Sequence, residues 1–131
     1  MIKRTLFLAL CSVSCWVHAD WDVPITATTD AKYYADSETR RSSVIPSVWI
    51  LADYGQLQQS TDNAPKHLSV KMLNEADCGA GKMRMVSSIY YSLSMGKGDA
   101  LSFSTFTSEW SRPASRSPSA SIFEYLCPKK Q

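Results

Sequence analysis

The sequence predicts an α+β domain, a mainly antiparallel sheet of five or six short strands followed by one C-terminal helix. Three observations predict it. Apolar and polar residues alternate with a period of two along most of the chain. The stretches between are short and carry turn residues, which suits antiparallel neighbours. Beyond Arg112 the apolar period lengthens to that of a helix.

The first nineteen residues read as an export leader. Lys3 and Arg4 give a positive start, and Leu6 to Trp16 is an apolar run. That run is shorter than the ~20 residues a spanning helix needs. Val17-His18-Ala19 places small residues where signal peptidase reads, so cleavage is expected before Asp20. The residues ahead of Cys11 and Cys15 fit a lipobox poorly. The predicted organisation is a cleavable signal peptide over 1–19 and a single domain over 20–131, with no membrane span left after cleavage. Removing the leader removes Cys11 and Cys15. Cys78 and Cys127 then remain in an oxidising compartment, which predicts one disulfide. The +2 charge of the chain comes from Lys3 and Arg4, because all 12 acidic residues lie beyond the leader. The remaining balanced charge gives no electrostatic case for nucleic acid or an acidic membrane.

Trp21, Val23, Ile25 and Ala27 share one face of a first strand. Pro24 lacks an N–H and so predicts an edge or a bulge. Tyr33 and Tyr34 form a short second strand. Ser37 to Ser43 is polar, with Arg40 and Arg41 in its middle. Ser47 to Tyr54 is apolar on both faces, as in a central strand. Gly55 to Pro65 reads as a solvated loop. Leu68, Val70 and Met72 mark the next strand, and Glu75 to Lys82 a turn region. Met83, Met85, Ile89, Tyr91 and Leu93 are expected on one face of the following strand. Met95-Gly96-Lys97-Gly98 supplies residues that tolerate positive φ in a hairpin. Leu101, Phe103 and Thr105 alternate with Ser102 and Ser104, and Phe103 is expected in the core between sheet and helix.

Ser117 or Ser119 can cap the helix with Pro118 in its first turn; Ser121 and Glu124 have the spacing of a rival capping box. Ile122, Phe123, Leu126 and Cys127 share a helical face. Pro128 stops the helix, and Lys129 and Lys130 suit its negative end. A helix of about ten residues is marginal alone. It must dock on the sheet, and a Cys78–Cys127 bridge would hold it there.

The search for reactive chemistry is mostly negative. One histidine, His67, lies beyond the leader, and it reads as an edge or loop residue. Ser69 and Asp62 are near it in sequence, without a nucleophile-elbow motif. Cys78 and Cys127 are not a C-x-x-C pair. No cluster has zinc or calcium ligand spacing. Asp53 reads as a hydrogen-bond acceptor at a strand end, with proton transfer as the sharper alternative. Trp49, Tyr54 and Trp110 read as core before ligand groove, and Met83 with Met85 as packing before iron ligands. The best candidate contact surface is Arg40 with Arg41, because a guanidinium pairs with carboxylates of a protein partner. The low-charge strand from Leu101 to Thr107 is a second candidate, by pairing with a partner's strand.

One ordered set of motifs runs along nearly the whole mature chain. Trp49-x-Leu51-x-Asp53-Tyr54 is followed by Ser69-x-Lys71, then Glu75-x-Asp77-Cys78, Met95-Gly96-x-Gly98, Trp110, Pro113 and Cys127. This order and spacing resemble the surface-adhesin protein E family of small exported bacterial proteins. The resemblance implies a curved antiparallel sheet with a C-terminal helix held by a disulfide. It implies an adhesin-like binding module; with the negative search for reactive chemistry, a non-enzymatic protein with no resident cofactor is expected, in the periplasm or at the cell surface. The partner it implies is a host matrix or serum protein. A periplasmic accessory role and a small-ligand role, such as haem binding, are the alternatives.

Overall fold

The computed structural model describes residues 21–59 and 65–129. The leader expected over 1–19, its cut before Asp20, Asp62 and Lys130 lie outside the described residues.

Six strands form one antiparallel sheet whose spatial order is the chain order. They are β1 (Val23–Ala27), β2 (Ala31–Ala35), β3 (Ser47–Gln58), β4 (His67–Asp77), β5 (Lys82–Tyr91) and β6 (Ala100–Ser104), with helix α1 over Pro118–Leu126. β1 is an edge strand, and its register against β2 shifts between Pro24 and Thr26, as the missing N–H of Pro24 requires. Two strands are longer than the composition suggested. β3 continues through Gly55 to Gln58, so that part of the expected loop is strand. β4 runs on to Asp77, which leaves the turn to Cys78–Gly81.

β3 and β4 carry the register. Ile50 pairs with Met72 and with Ala35, while Leu51 pairs with Lys71 and with Tyr34. Val48, Ile50, Leu51 and Ala52 are all fully buried, which confirms β3 as a central strand with both faces covered there. The single face expected for β5 is corrected by a bulge. Asn74 pairs with Met85 but Leu73 pairs with Ser87, so Val86 is an extra residue. One inserted residue turns the rest of the strand over. Met83 and Met85 therefore share a face with Ser88 and Tyr90, and Ile89 and Tyr91 point the other way.

α1 starts where Ser117 and Pro118 predicted. The Ser117 hydroxyl accepts a hydrogen bond from the Ala120 N–H, and Pro118 sits in the first turn. Ile122 and Leu126 are buried against Ala35, Val48, Ile50, Ala76 and Met83, flanked by Val23, Ile25 and Phe123. Cys127 is bonded to Cys78 at a sequence separation of 49. The bridge ties the end of the helix to the β4–β5 turn.

The opposite face has a smaller core over Leu51. It is roofed by a 3₁₀ turn at Ser94–Gly96, where Met95 and Gly96 have φ of 60° and 67°. The Asp53 carboxylate accepts from the Met95 N–H at 2.9 Å. The buried Ser69 hydroxyl donates to the Leu93 carbonyl at 2.6 Å and accepts from the Gly96 N–H at 2.9 Å. Asp53 is thus an acceptor that fixes a turn. A Cβ on Gly96 would lie 3.5 Å from Leu51 and 3.6 Å from Trp21, so the close approach adds to the demand for glycine made by its φ.

Two side chains differ from expectation. Phe103 is 62 % exposed and contributes nothing to the core under the helix. It lies on β6, opposite Ile89 and so on the face away from α1. His67 is 2 % exposed, held edge-on between Tyr54 and Tyr90 with ring centroids 6.0 and 4.6 Å away. Its Nδ1 lies 2.9 Å from the Pro65 carbonyl, which settles it as a packed strand residue.

Cys78→Ser and Cys127→Ser are each expected to lower stability by about 2–5 kcal/mol, since a loop of this length gives ~4 kcal/mol by chain entropy. The double variant should cost little more than either single. Urea unfolding of the three variants checks this, and additive losses would mean the cysteines act separately. Leu126→Ala should cost about 2–5 kcal/mol. Phe103→Ala should stay within about 0.5 kcal/mol, as for other exposed sites.

Candidate functional site

The two arginines of the 37–43 segment have separate surroundings. Arg40 reaches the C-terminal end of α1, where its Nη2 donates to the carbonyls of Leu126 (3.3 Å) and Tyr125 (3.5 Å). Its guanidinium also lies 5.6 Å from the centre of the Tyr125 ring. The last carbonyls of a helix have no internal donor and form the negative end of its dipole. Arg40 fills the role expected of Lys129 and Lys130. Arg41 is exposed; its backbone is bridged to Ser47, and its guanidinium donates to the Glu38 carbonyl at 3.3 Å. No sequence signal distinguishes the two, because the helix end that Arg40 meets is some eighty-five residues away in the chain.

On the helix side of the sheet, α1 leaves a groove of about 360 Å³. Tyr33, Tyr54, Met72, Met85, Arg84 and Ile122 are among its walls. Burial pushes the Tyr33 and Tyr54 phenols above their ordinary value of 10.0, helped at Tyr33 by the charge of Asp30. Arg84 is held by Glu75 at 2.9 Å and stacks 4.3 Å from the Trp110 ring centre. Trp110 is thereby a support for a wall residue. His67 is not part of the groove. Among the described residues no three His, Cys, Asp or Glu side chains come together to hold a metal ion.

The third feature is the β6 edge. β6 ends the sheet and has no strand on its outer side. The chain leaves β5 after Ser104 and returns to it at Ser108–Ser111, where the Ser108 N–H donates to the Met85 carbonyl and Ser111 pairs with Met83. Leu93 (53 %), Leu101 (38 %), Phe103 and Phe106 (78 %) are exposed along this edge and its approach. Ala100 to Thr107 contains no charged residue. Alternation placed Leu101 and Phe103 in a strand, but the pattern could not show that the strand is last in the sheet.

The model of the surface-adhesin protein E family matches residues 14–128. The chain belongs to that family. Among curated proteins none matches it in sequence. Solved structures of protein E from Haemophilus influenzae are similar in fold. One has 13% identity and a TM-score of 0.56 over 80% of this chain and 89% of that one. A second crystal form has 14% identity and a TM-score of 0.58 over 79% and 91%.

Within this family fold, Arg40→Ala is expected to lower stability by about 1–2 kcal/mol through loss of the helix-end contact. Arg41→Ala should change it by less than about 0.5 kcal/mol. Thermal or urea unfolding checks the difference, and equal effects would remove the distinct role of Arg40.

A pH effect follows from the groove tyrosines. Their folded pKa values are raised above 10.0, so the stability they contribute is present below that pH and is lost as pH rises through the raised values. Unfolding midpoints should therefore fall above pH 10. Tyr33→Phe with Tyr54→Phe should make that fall shallower, and an unchanged slope would exclude these phenols as its source.

Proposed function

We propose that this chain is an exported, non-enzymatic module that binds a protein partner along its β6 edge. The exposed Leu101, Phe103 and Phe106 on an unpaired, uncharged edge carry this reading. An extended segment of a partner would add a strand beside β6, with main-chain hydrogen bonds giving affinity and the apolar side chains giving selectivity. Natural edge strands are usually blunted by charge or proline, and this one has neither. Export through the leader over 1–19 places the module in the periplasm or on the cell surface. The family supports a host matrix or serum protein as the partner on the cell surface; a periplasmic accessory role is the alternative. Arg41 offers a second, weaker contact for a carboxylate-rich partner, with Arg40 behind it at the helix end.

The test is capture of matrix and serum proteins by the purified domain. Phe103→Lys with Phe106→Lys should weaken capture by about tenfold or more, a loss of ~1.4 kcal/mol, with the melting temperature unchanged. Binding that survives this double change, and falls instead with Arg41→Ala in a salt-sensitive way, would move the contact to the 37–43 segment. Protease added to intact cells separates surface from periplasm, since only a surface protein would be cleaved.

The Tyr- and Met-lined groove favours a second reading, a flat apolar ligand such as haem. Met72 and Met85 offer thioethers there, while buried His67 lies elsewhere. Burial also disfavours the phenolate that would make Tyr33 or Tyr54 an iron ligand. Haem would then be held by packing. A saturable change in the haem absorption band on titration supports this reading, and its absence removes it.

A further inference from the structure

Three aromatic rings from three separate parts of the chain converge on one ammonium on the face of the sheet away from α1. Lys71 Nζ lies 5.4 Å from the ring centre of Trp21, 5.7 Å from Trp49 and 5.8 Å from Tyr91. The register explains the meeting. Lys71 pairs with Leu51 on one side and Ile89 on the other, and Trp49 and Tyr91 each stand two residues along those neighbouring strands on the same face. Trp21, ahead of β1, folds over the same spot beside Gly96. All four side chains are half-buried.

Ring faces attract a cation through their quadrupole, so the cluster holds the ammonium in a fixed place. The rings do not use its three N–H donors as a carboxylate would. No carboxylate pairs with Lys71: the described residues contain a single ion pair, Arg84 with Glu75. The nearest acid along the register on this face, Asp53, gives an oxygen to the Met95 N–H. Lys71 is thus a positioned, partly desolvated cation with donors to spare, framed by flat apolar surfaces. Its complement is an anion carried on a ring whose faces bear weakly positive C–H groups. A carboxylated pyranose has that chemistry: the carboxylate meets Lys71 while the sugar face lies on an indole, whose own face is negative.

We propose that Lys71, Trp21, Trp49 and Tyr91 form a binding site for the carboxylated sugar ring of an acidic saccharide, separate from the β6 edge. The site lies beside the 3₁₀ turn at Ser94–Gly96, whose glycine gives Trp21 room to lie over the sheet.

The experiment is titration of the purified domain with sialyllactose and, separately, with a galacturonic acid trisaccharide, followed by tryptophan fluorescence. Neutral lactose and sodium acetate serve as controls. Saturable quenching is expected with one or both acidic sugars, and neutral lactose should bind about tenfold more weakly or not at all. Which acid sugar binds identifies the source. Lys71→Met keeps the side-chain stem between the rings and should abolish the preference for the acidic sugar. Lys71→Arg should retain it. Trp49→Leu reports the stacking contribution and should weaken the acidic sugar by about tenfold. Circular dichroism confirms that each variant is folded. Equal response to acidic and neutral sugars, competition by acetate at equal concentration, or undiminished binding by Lys71→Met would each overturn the proposal. So would the absence of quenching with both acidic sugars.

Discussion

A helix of nine residues makes too few internal hydrogen bonds to repay its own ordering, so the covered face of this sheet depends on external attachment of α1. Three attachments are present, and each acts on a different part of the helix. Ser117 caps the first turn. Ile122 and Leu126 bury the middle and end against β2, β3, β4 and β5. At the C-terminus, Arg40 occupies the free carbonyls and the Cys78–Cys127 bridge prevents departure. The core and the Tyr33–Tyr54 groove share this dependence, since Ile122 belongs to both. The Ser94–Gly96 roof on the other face is held by Asp53 and Ser69 and needs nothing from the helix.

The fold was legible because its signals are local. Alternation in β1 to β6, turn residues at 95–98 and the Ser117-Pro118 start each report on a few neighbouring positions. The failures came where a local pattern met a non-local fact. In β5 the residues Met83, Met85, Ile89 and Tyr91 are spaced by even numbers of residues, as one strand face requires, yet the bulge at Val86 sends the second pair to the other side. No pattern of apolar residues records a bulge. In β3, Gly55 to Gln58 looked like loop from its polarity, but pairing of Gln58 with His67 keeps it in the sheet.

The candidate sites were harder to read for the same reason. Arg40 and Arg41 are identical in type and adjacent in sequence, and only the position of a distant helix end separates a cap from an exposed charge. Phe103 alternates as a core residue does, but β6 has no layer packed over it. His67 gave the opposite error: polarity suggested exposure, while two tyrosines from neighbouring strands enclose it. The aromatic surround of Lys71 has no sequence signature at all, because Trp21, Trp49 and Tyr91 meet it only through strand register.

The sheet's spatial order repeats the chain order, and this bears on how the fold can assemble. Every strand finds its partner in the strand made just before it, so the sheet can grow as a succession of hairpins without waiting for distant sequence. Only the last segment must travel back, to lay α1 across strands formed long before. By that route Cys127 would meet Cys78 with the β4–β5 turn already in place. On such a route the bridge would close last, as a latch on a finished sheet.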